Sequence, residues 1–322
     1  MGDELHVVFG SGPAGRAVAT ELARQGLTTT VVNRSGRQVL DGVETLGGDV
    51  TDPHFARTAT DGASTVYFCL NAAHYHRWAQ EFPPLQYAVV DATSAAGARL
   101  VVLENLYMYG PTGGAPMTES TPCHPTGTTS AVRAQMSDEL IDAHRAGRVE
   151  VVIGRAADFV GPGVTASAMG EFVFGSALAG KKARTMGRPD TLHSFSYVPD
   201  IGRNLVLLGS RADAYGRVWH LPNPPTRTIR DVIIDVYSAL DKPARLSVLS
   251  KPMLRVVGLF NRDVRELLST YYQFDAPFIS DHSAFTTAFG GHVTAWDDIV
   301  QTTLASYHRV AASHVDVATP TP

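Results

Sequence analysis

Short apolar runs alternate with helical patterns through the first half of the chain. Runs rich in Val, Leu and Thr predict strands at 5–9, 28–33, 43–46, 65–70, 100–103 and 149–153. Apolar residues at helical spacing predict intervening helices, including 85–96 and 132–146. Strands that alternate with helices form a parallel sheet covered on both faces. We therefore predict an α/β fold with a doubly wound parallel sheet.

The first predicted strand is followed by a glycine-rich turn. Gly10, Gly12 and Gly15 have the spacing G-x-G-x-x-G, and a helical pattern follows that motif. In this setting the glycines allow a tight turn, a close approach of a pyrophosphate and close packing of the helix. Pro13 and Ala14 would lie beside the phosphates at the helix start. The motif predicts a Rossmann-type dinucleotide site, and a glycine-rich turn without a ligand is the alternative.

The regular alternation ends near residue 155. Further helices are predicted at 200–208, 229–240, 251–272 and 296–309, with a strand at 217–221. We predict an NAD(P)-binding Rossmann domain over 1–155. Residues 156–314 are predicted to form mainly a smaller, partly helical C-terminal substrate-binding cap, with segments that return to the Rossmann core. Residues 315–322 are predicted to form a flexible tail.

Composition narrows the class of protein. Of 322 residues, 44% are hydrophobic and 18% charged, and the formal net charge of −4 argues against nucleic-acid binding. Two cysteines give no disulfide framework, and no set of His, Cys, Asp and Glu has metal-ligand spacing. No signal peptide is recognised, and no apolar run approaches the ~20 residues of a membrane span. We expect a cytoplasmic enzyme with a small-molecule substrate, no metal, and no nucleic-acid or membrane partner.

The end of the second predicted strand bears on the choice of cofactor. An NAD site usually offers a carboxylate to the ribose hydroxyls at this place, and this chain has none. Polar and cationic residues stand there instead, namely Asn33, Arg34, Ser35 and Arg37. Because one guanidinium group can donate hydrogen bonds to two phosphate oxygens at once, these residues favour the 2′-phosphate of NADP over NAD. The alternative is that both arginines are solvated surface charges.

Two further loops are predicted to contact the cofactor. Asp49 and Val50 follow the third strand, where Asp49 can accept a hydrogen bond from the adenine amino group. The residues after the fourth strand would pass along the middle of the cofactor, namely Leu70, Asn71 and Ala72.

Four segments together resemble a known family. They are G-S-G-P-A-G at 10–15, Y-M-Y-G-P at 107–111, G-R-A-A-D-F-V-G-P-G at 154–163 and F-S-Y-V-P-D at 195–200. These segments resemble the extended or atypical short-chain dehydrogenase/reductases, the NAD-dependent epimerase/dehydratase group. The resemblance implies a Rossmann fold with a C-terminal cap and an NAD(P)-dependent oxidoreductase or epimerase.

The resemblance breaks at the residues that carry the family's chemistry. The family normally uses Tyr-x-x-x-Lys on the helix after the fifth strand, with a Ser or Thr near the end of that strand. In the matching register Thr129 takes the Tyr place and Arg133 the Lys place, while the Ser place falls near Glu104 and Asn105. A Thr hydroxyl is far too weak an acid to replace a phenol.

Tyr107 is the predicted substitute for the missing acid. It leaves the fifth strand at the edge that faces the nicotinamide in this fold. Arg133 and Asn105 are predicted to support the oxyanion, while Glu104 could act as a base if partly buried. Packing of a buried ring is the alternative for Tyr107, and it is the commoner role for Tyr109.

The substrate pocket is predicted from residues near the ligand crevice and from the cap. They are His74, Tyr75, Trp78, Asp158, His193 and Tyr197. Apolar residues within 251–272, among them Val257 and Phe260, suggest an apolar lid and a hydrophobic or aromatic substrate. A homodimer is also expected from the resemblance.

These observations predict an NADP-dependent oxidoreductase that acts on a small organic carbonyl or alcohol. Because the usual Tyr and Lys are absent, a redox-neutral epimerase, dehydratase or cyclase with a retained cofactor is the first alternative. A non-catalytic sensor that binds NADP is the second.

Overall fold

The computed structural model describes residues 4–72 and 74–316. The strands are β1 (Leu5–Phe9), β2 (Thr28–Asn33), β3 (Glu44–Gly47), β4 (Ala63–Phe68), β5 (Arg99–Glu104), β6 (Glu150–Arg155), β7 (Asp158–Val160), β8 (Ala183–Met186), β9 (Leu192–His193), β10 (Phe195–Tyr197), β11 (Val218–His220), β12 (Arg227–Thr228) and β13 (Leu246–Leu249). The helices are α1 (Pro13–Arg24), α2 (Pro53–Thr60), α3 (Trp78–Ala95), α4 (Thr128–Arg145), α5 (Ser176–Leu178), α6 (Val198–Ser210), α7 (Ile229–Ser238), α8 (Lys251–Gly258), α9 (Arg262–Thr270), α10 (Ser283–Phe289) and α11 (Trp296–Asp316).

Seven parallel strands form the central sheet, in the order β11-β6-β5-β4-β1-β2-β3. The chain winds outward from β1 in one direction and from β4 in the other. This arrangement confirms the predicted doubly wound sheet. Phe9 at the end of β1 lies opposite Val32 of β2 and Phe68 of β4, so the loops after these strands leave the sheet together. The crevice between the loops after β1 and β4 is where such folds bind ligands.

Each face of the sheet carries its own hydrophobic core. Side chains alternate along each strand, so Val7 and Phe9 enter the core beneath α2, α3 and α4, while Val8 enters the core beneath α1 and α6. Trp78 and Phe82 belong to the first of these cores, which anchors the start of α3. The observed helix α3 is therefore longer than the predicted helix at 85–96, because it begins at Trp78.

Segments beyond residue 155 return to the sheet. β11 pairs with β6 at the sheet edge, and α6 packs against α1. The two helices meet at Gly202, where an added Cβ would lie 2.5 Å from the carbonyl carbon of Ala17. Glycine at this position thus allows α6 to pack closely on α1 and so to cover this face of the sheet.

The rest of the second half forms a smaller unit with its own core. Its strand pairs are β7 with β10, β8 with β13, and β9 with β12. Side chains of α5, α7 and α11 and a π-helical turn at Gly170–Gly175 fill the core beside them. Of the predicted tail, residues 315 and 316 end α11, and 317–322 lie outside the described residues.

The predicted helix at 251–272 is two helices. It breaks at Asn261, whose side-chain oxygen accepts hydrogen bonds from the backbone N–H groups of Asp263 and Val264 and so caps α9. Among the described residues, no helix is long and apolar enough to cross a membrane.

Candidate active site

The turn after β1 has the backbone geometry that its glycines predict. Gly10 has φ of +112°, a region open to glycine, and a Cβ at Gly15 would lie 1.9 Å from the carbonyl oxygen of Gly10. At Gly12, by contrast, an added Cβ would meet no heavy atom within 4 Å. Two glycines are therefore required by the fold, while Gly12 borders open space at the start of α1. Pro13 and Ala14 form the first residues of that helix.

The loop after β2 is closed by its own hydrogen bonds. The Asn33 side-chain oxygen accepts from the backbone N–H and the hydroxyl of Ser35, each at 3.0 Å, while its amide donates to the Arg37 carbonyl. The side chains of Arg34 and Arg37 are exposed and make no hydrogen bond or ion pair with another described residue. The loop thus presents two free guanidinium groups from a preformed turn.

The loops after β3 and β4 place the remaining predicted cofactor residues. Asp49 is exposed, and its Oδ1 accepts from the backbone N–H and hydroxyl of Thr51, which holds the pKa of the carboxyl below its usual range. Val50 and Ala72 are buried, while Leu70 is half-buried and Asn71 exposed. The Oδ2 atom of Asp49 remains free of described partners. These residues stay predictions as cofactor contacts.

An aromatic shelf forms beside the end of β5 from three of the predicted residues. We use this name for Tyr75, Trp78 and Tyr107. The ring of Trp78 stacks on Tyr75 with centroids 4.8 Å apart and on Tyr107 at 6.2 Å. The two tyrosine hydroxyls lie 3.4 Å from each other, and the Tyr272 hydroxyl donates to the Tyr107 carbonyl.

The surroundings of Tyr107 favour its neutral form. Burial raises the pKa of this phenol well above its ordinary value, and the charges of Tyr75 and Asp158 raise it further. Asn105 does not point its amide oxygen into open space, because this atom accepts from the Tyr107 backbone N–H at 3.2 Å. Tyr107 is therefore a protonated donor at neutral pH.

Asp158 and His193 form a pair in the cap. Nε2 of His193 donates to the Asp158 carboxylate at 2.9 Å, and the imidazole is fully buried among Phe195, Phe274 and Phe278. Asp158 raises the pKa values of the Tyr75, Tyr107 and Tyr272 hydroxyls, which places its charge near the aromatic shelf. Tyr197 instead packs in the cap core.

Arg133 of α4 is buried with part of its guanidinium unpaired. Its Nη2 donates to the Leu103 carbonyl at 3.4 Å, and the group lies 4.9 Å over the Phe82 ring. Nε and Nη1 have no hydrogen-bond partner among the described residues, and neither does Oγ1 of buried Thr129 one turn earlier. A buried cation with free N–H groups is suited to bind an oxyanion or hydroxyls of a ligand.

Glu104 belongs to a buried polar network, which the sequence did not reveal. Arg155 donates to the Glu104 carboxylate at 2.9 Å, to the Tyr109 hydroxyl at 2.7 Å and to the Ser137 hydroxyl at 2.6 Å. Burial alone lowers the pKa of Arg155, but the charges of Glu104 and Tyr109 outweigh it and raise the pKa. The condition under which Glu104 could act as a base, partial burial, is not met, because the residue is 1% exposed. Its carboxylate is neutralised by Arg155, which makes it a structural anion rather than a free base.

The network continues to His220 at the end of β11. The Tyr109 hydroxyl lies 2.6 Å from Nε2 of His220 and already accepts from Arg155, so it donates to a neutral imidazole. Burial first, and then the charge of Arg155, lower the pKa of His220 to about 3. Tyr109 thus holds the ends of β5, β6 and β11 together.

Acid is expected to destabilise the protein through His220. The pKa is near 6.5 in the unfolded chain and about 3 in the folded one, so the unfolded state binds more protons between these values. The contribution is complete above pH 6.5 and is lost as pH falls toward 3, with a slope of up to about 1.4 kcal/mol per pH unit. Urea unfolding at several pH values gives the change of unfolding free energy per pH unit. This change should be smaller in His220→Gln than in the wild type and unchanged in exposed His54→Gln. Equal slopes in all three proteins would contradict the assignment.

Helix α9 is fastened over the turn that carries Tyr75. The Asp263 carboxylate accepts from Nδ1 of His76 at 2.8 Å, and Nδ1 of His74 lies 3.4 Å from its other oxygen. These contacts, led by the His76 hydrogen bond, lower the pKa of Asp263. His74 therefore contacts α9 rather than the aromatic shelf. In the described part of the chain, no three His, Cys, Asp or Glu side chains are arranged to hold a metal.

The glycine-rich turn after β1 and the elements up to β11 lie within the range of a known family model. The model of the NAD-dependent epimerase/dehydratase family matches residues 7–220, about two thirds of the chain. The chain belongs to this family. Its members are enzymes that use NAD(P), so the predicted family and enzyme class are confirmed. No curated protein is significantly similar to this family member in sequence.

Solved structures of the family share the whole architecture. The epimerase Mth375 from Methanothermobacter thermautotrophicus is 14% identical, with a TM-score of 0.79 over 96% of this chain and 94% of its own. UDP-glucuronic acid 4-epimerase from Bacillus cereus, in complex with UDP-glucuronic acid and NAD, is 14% identical, with a TM-score of 0.77 over 95% and 99%. A double mutant of the dTDP-glucose 4,6-dehydratase DesIV from Streptomyces venezuelae, with NAD bound, is 15% identical, with a TM-score of 0.78 over 96% and 98%. At these identities the likeness establishes the fold alone.

Several residues of the site were missed by sequence reasoning. Tyr272 reaches Tyr107 from a separate turn after α9, and Asp263 reaches His76 across 187 positions. Arg155 stands within the G-R-A-A-D segment, but its partner Glu104 is 51 positions away. No local pattern carries such pairs.

Proposed function

We propose that this family member binds NADP and catalyses hydride transfer to a small organic carbonyl. The observation that carries the proposal is the open space at Gly12, which lies between two sterically required glycines at the start of α1. A ligand phosphate can approach the backbone N–H groups there. When bound, the nicotinamide supplies the hydride for reduction or accepts one in oxidation.

Tyr107 is proposed as the proton donor to the oxygen of the substrate. Its phenol is protonated at neutral pH and holds a proton for the carbonyl oxygen, but the raised pKa makes it a weaker acid than an ordinary tyrosine. The same raised pKa makes its phenolate scarce, which disfavours Tyr107 as a base for alcohol oxidation at neutral pH. Stabilisation of the developing oxyanion by another group therefore has to assist the proton transfer.

Arg133 is proposed to stabilise the developing oxyanion. Burial lowers the pKa of its guanidinium, the charge of Glu104 opposes this shift, and Nε and Nη1 are free of described partners. Charge stabilisation in a dry site is a large contribution to catalysis. Thr129 lies one turn away and can contribute a hydroxyl donor, while Asn105 is proposed to hold Tyr107 in place through its hydrogen bond to the backbone.

Replacing Tyr107 with phenylalanine tests the proposed proton donor. With NADPH and a panel of aldehydes and ketones, we expect a loss of kcat of about 10²–10⁴-fold, in line with the removal of a general acid. Affinity for NADPH should stay within twofold, since the hydroxyl is not placed among the phosphate contacts. Exposed Tyr87→Phe serves as the matched control. Full activity of Tyr107→Phe, or consumption of NADPH with no carbonyl in the wild type, would contradict the proposal.

Arg34→Ala tests the choice between NADP and NAD. If Arg34 binds the 2′-phosphate, its loss should weaken NADPH by about tenfold or more and leave NADH nearly unchanged, as removal of one charge-assisted contact predicts. Fluorescence titration gives both dissociation constants, and exposed Arg145→Ala is the control. An equal loss for both nucleotides would show that the arginine does not read the phosphate.

A redox-neutral reaction on a sugar nucleotide is the second candidate. It is favoured by the solved neighbours, whose complexes contain NAD with UDP-glucuronic acid or UDP-glucose. Such a reaction leaves the absorbance of the reduced cofactor unchanged at steady state, whereas a reductase consumes NADPH in proportion to product. A sensor would bind NADPH tightly and turn over neither substrate class. Homodimerisation and a cytoplasmic location remain predictions.

A further inference from the structure

Helix α8 carries an apolar stripe that faces solvent. Met253, Val256 and Val257 of α8 and Phe260 in the turn after it follow the spacing i, i+3, i+4, i+7, which is the spacing of one side of a helix. Together with Leu259 they are 44% to 90% exposed, and Phe260 is the most exposed of them. This spacing normally marks the buried face of a helix.

The opposite side of α8 is already occupied. Gly258 is buried against α9, where a Cβ would lie 3.3 Å from Cα of Arg265, and the Arg265 side chain donates to the Gly258 carbonyl. Leu254 is partly buried on this inner side. The stripe is thus directed outward by the packing of α8 on α9.

The segment that carries the stripe is basic. Residues 250–262 contain Lys251, Arg255 and Arg262 and no Asp or Glu, in a chain with a formal net charge of −4. Lys251 lies 3.8 Å from Asp275, while Arg255 and Arg262 make no ion pair or side-chain hydrogen bond with a described residue. The paired strands β8 and β13, of which β13 leads into α8, have exposed Lys182, Arg184 and Arg245 in or directly before them. A helix with an apolar face and basic residues on its other side is complementary to an anionic lipid surface.

We propose that α8 docks this enzyme on the surface of an anionic bilayer, with the apolar stripe in the interface and the arginines at the headgroups. A second copy of the chain fits less well, because a stripe of this length covers roughly a few hundred Å², below the roughly 800 Å² per partner of a standard interface. The proposal replaces the sequence prediction that no membrane is a partner.

Docking at α8 has a consequence for the site. Helix α9 follows α8 directly and contacts the Tyr75–Arg77 turn through Asp263 and His76. The lipid surface would therefore lie next to the helix that covers the aromatic shelf.

Vesicle co-sedimentation of the full chain tests the proposal without any substrate. We expect binding to phosphatidylcholine vesicles that contain phosphatidylglycerol, and at least about tenfold weaker binding to phosphatidylcholine alone. The double variant Leu259→Ser, Phe260→Ser should lose about tenfold or more in partitioning, and Arg255→Glu about fivefold or more. Tyr87→Ser and Arg145→Glu are controls at exposed positions on other helices, and all variants should keep the wild-type unfolding temperature.

Three results would overturn the proposal. They are a wild type that does not bind anionic vesicles, a double variant that binds them as well as the wild type does, and a wild type that binds both types of vesicle equally. Analytical ultracentrifugation tests whether a second copy of the chain covers the stripe instead. If the wild type is a dimer that does not bind vesicles and the double variant is a monomer, the stripe is a dimer interface.

Discussion

Gly12→Val is expected to abolish nucleotide binding while changing the free energy of unfolding by less than about 1 kcal/mol. Gly12 has φ of −67° and ψ of −179°, which any residue adopts, and a Cβ there meets no heavy atom within 4 Å. The protein therefore has room for the valine side chain. A pyrophosphate on the backbone of the turn does not, so we expect the dissociation constant for NADPH to rise at least about 100-fold, as loss of the phosphate contacts predicts.

Gly15→Ala is the matched control, because it acts on the fold instead of the ligand. Its Cβ would lie 1.9 Å from the Gly10 carbonyl oxygen, so the backbone must shift and stability should fall by about 1–3 kcal/mol. Urea unfolding and fluorescence titration of both variants separate the two effects. Wild-type affinity in Gly12→Val, or an equal loss of stability in both, would contradict the assignment.

Glu104→Ala is expected to cost about 3–5 kcal/mol of unfolding free energy, since it leaves the buried Arg155 guanidinium without its carboxylate. Arg133 adds to the cost, because burial lowers the pKa of this second buried cation and the charge of Glu104 opposes that shift. Glu104→Gln keeps the shape and one hydrogen-bond acceptor, so its loss should be smaller. Urea unfolding measures each difference.

The exposed pair Asp142–Arg145 provides the control for this prediction. Its N–O distance is 3.2 Å and both side chains are more than two thirds exposed, so Asp142→Ala should change stability by less than about 1 kcal/mol. If Glu104→Ala were no more costly than Asp142→Ala, the buried network would not stabilise the ends of β5 and β6.

Local patterns predicted the central sheet well. Strand β1, the glycine turn and β2 are adjacent in sequence and depend on contacts within one unit, so periodicity and spacing located them. The short cap strands were missed because β7, β8 and β9 each pair with a strand more than thirty positions away. Pairs of this kind are set by the packing of the cap and leave no local pattern.

The apolar residues of 251–272 show where periodicity is ambiguous. Their spacing indicates that a helix has one apolar face, but it does not say what covers that face. In the structure Val257 and Phe260 face solvent, so the expected lid is wrong for these residues, and the inference of an apolar substrate loses their support. Tyr107, by contrast, lies three residues after the end of β5, where it joins the aromatic shelf, and its contact with a ligand stays a prediction.

Calorimetric titration of the wild-type protein with NADPH, NADP, NADH and NAD tests most directly whether the amino-terminal turn holds a dinucleotide. We expect heat of binding, strongest for the phosphorylated nucleotides, and a stabilisation of about 2.7 kcal/mol at a ligand concentration 100 times the dissociation constant. Absence of both heat and any shift in unfolding temperature with all four nucleotides would contradict the assignment of this turn as a cofactor site.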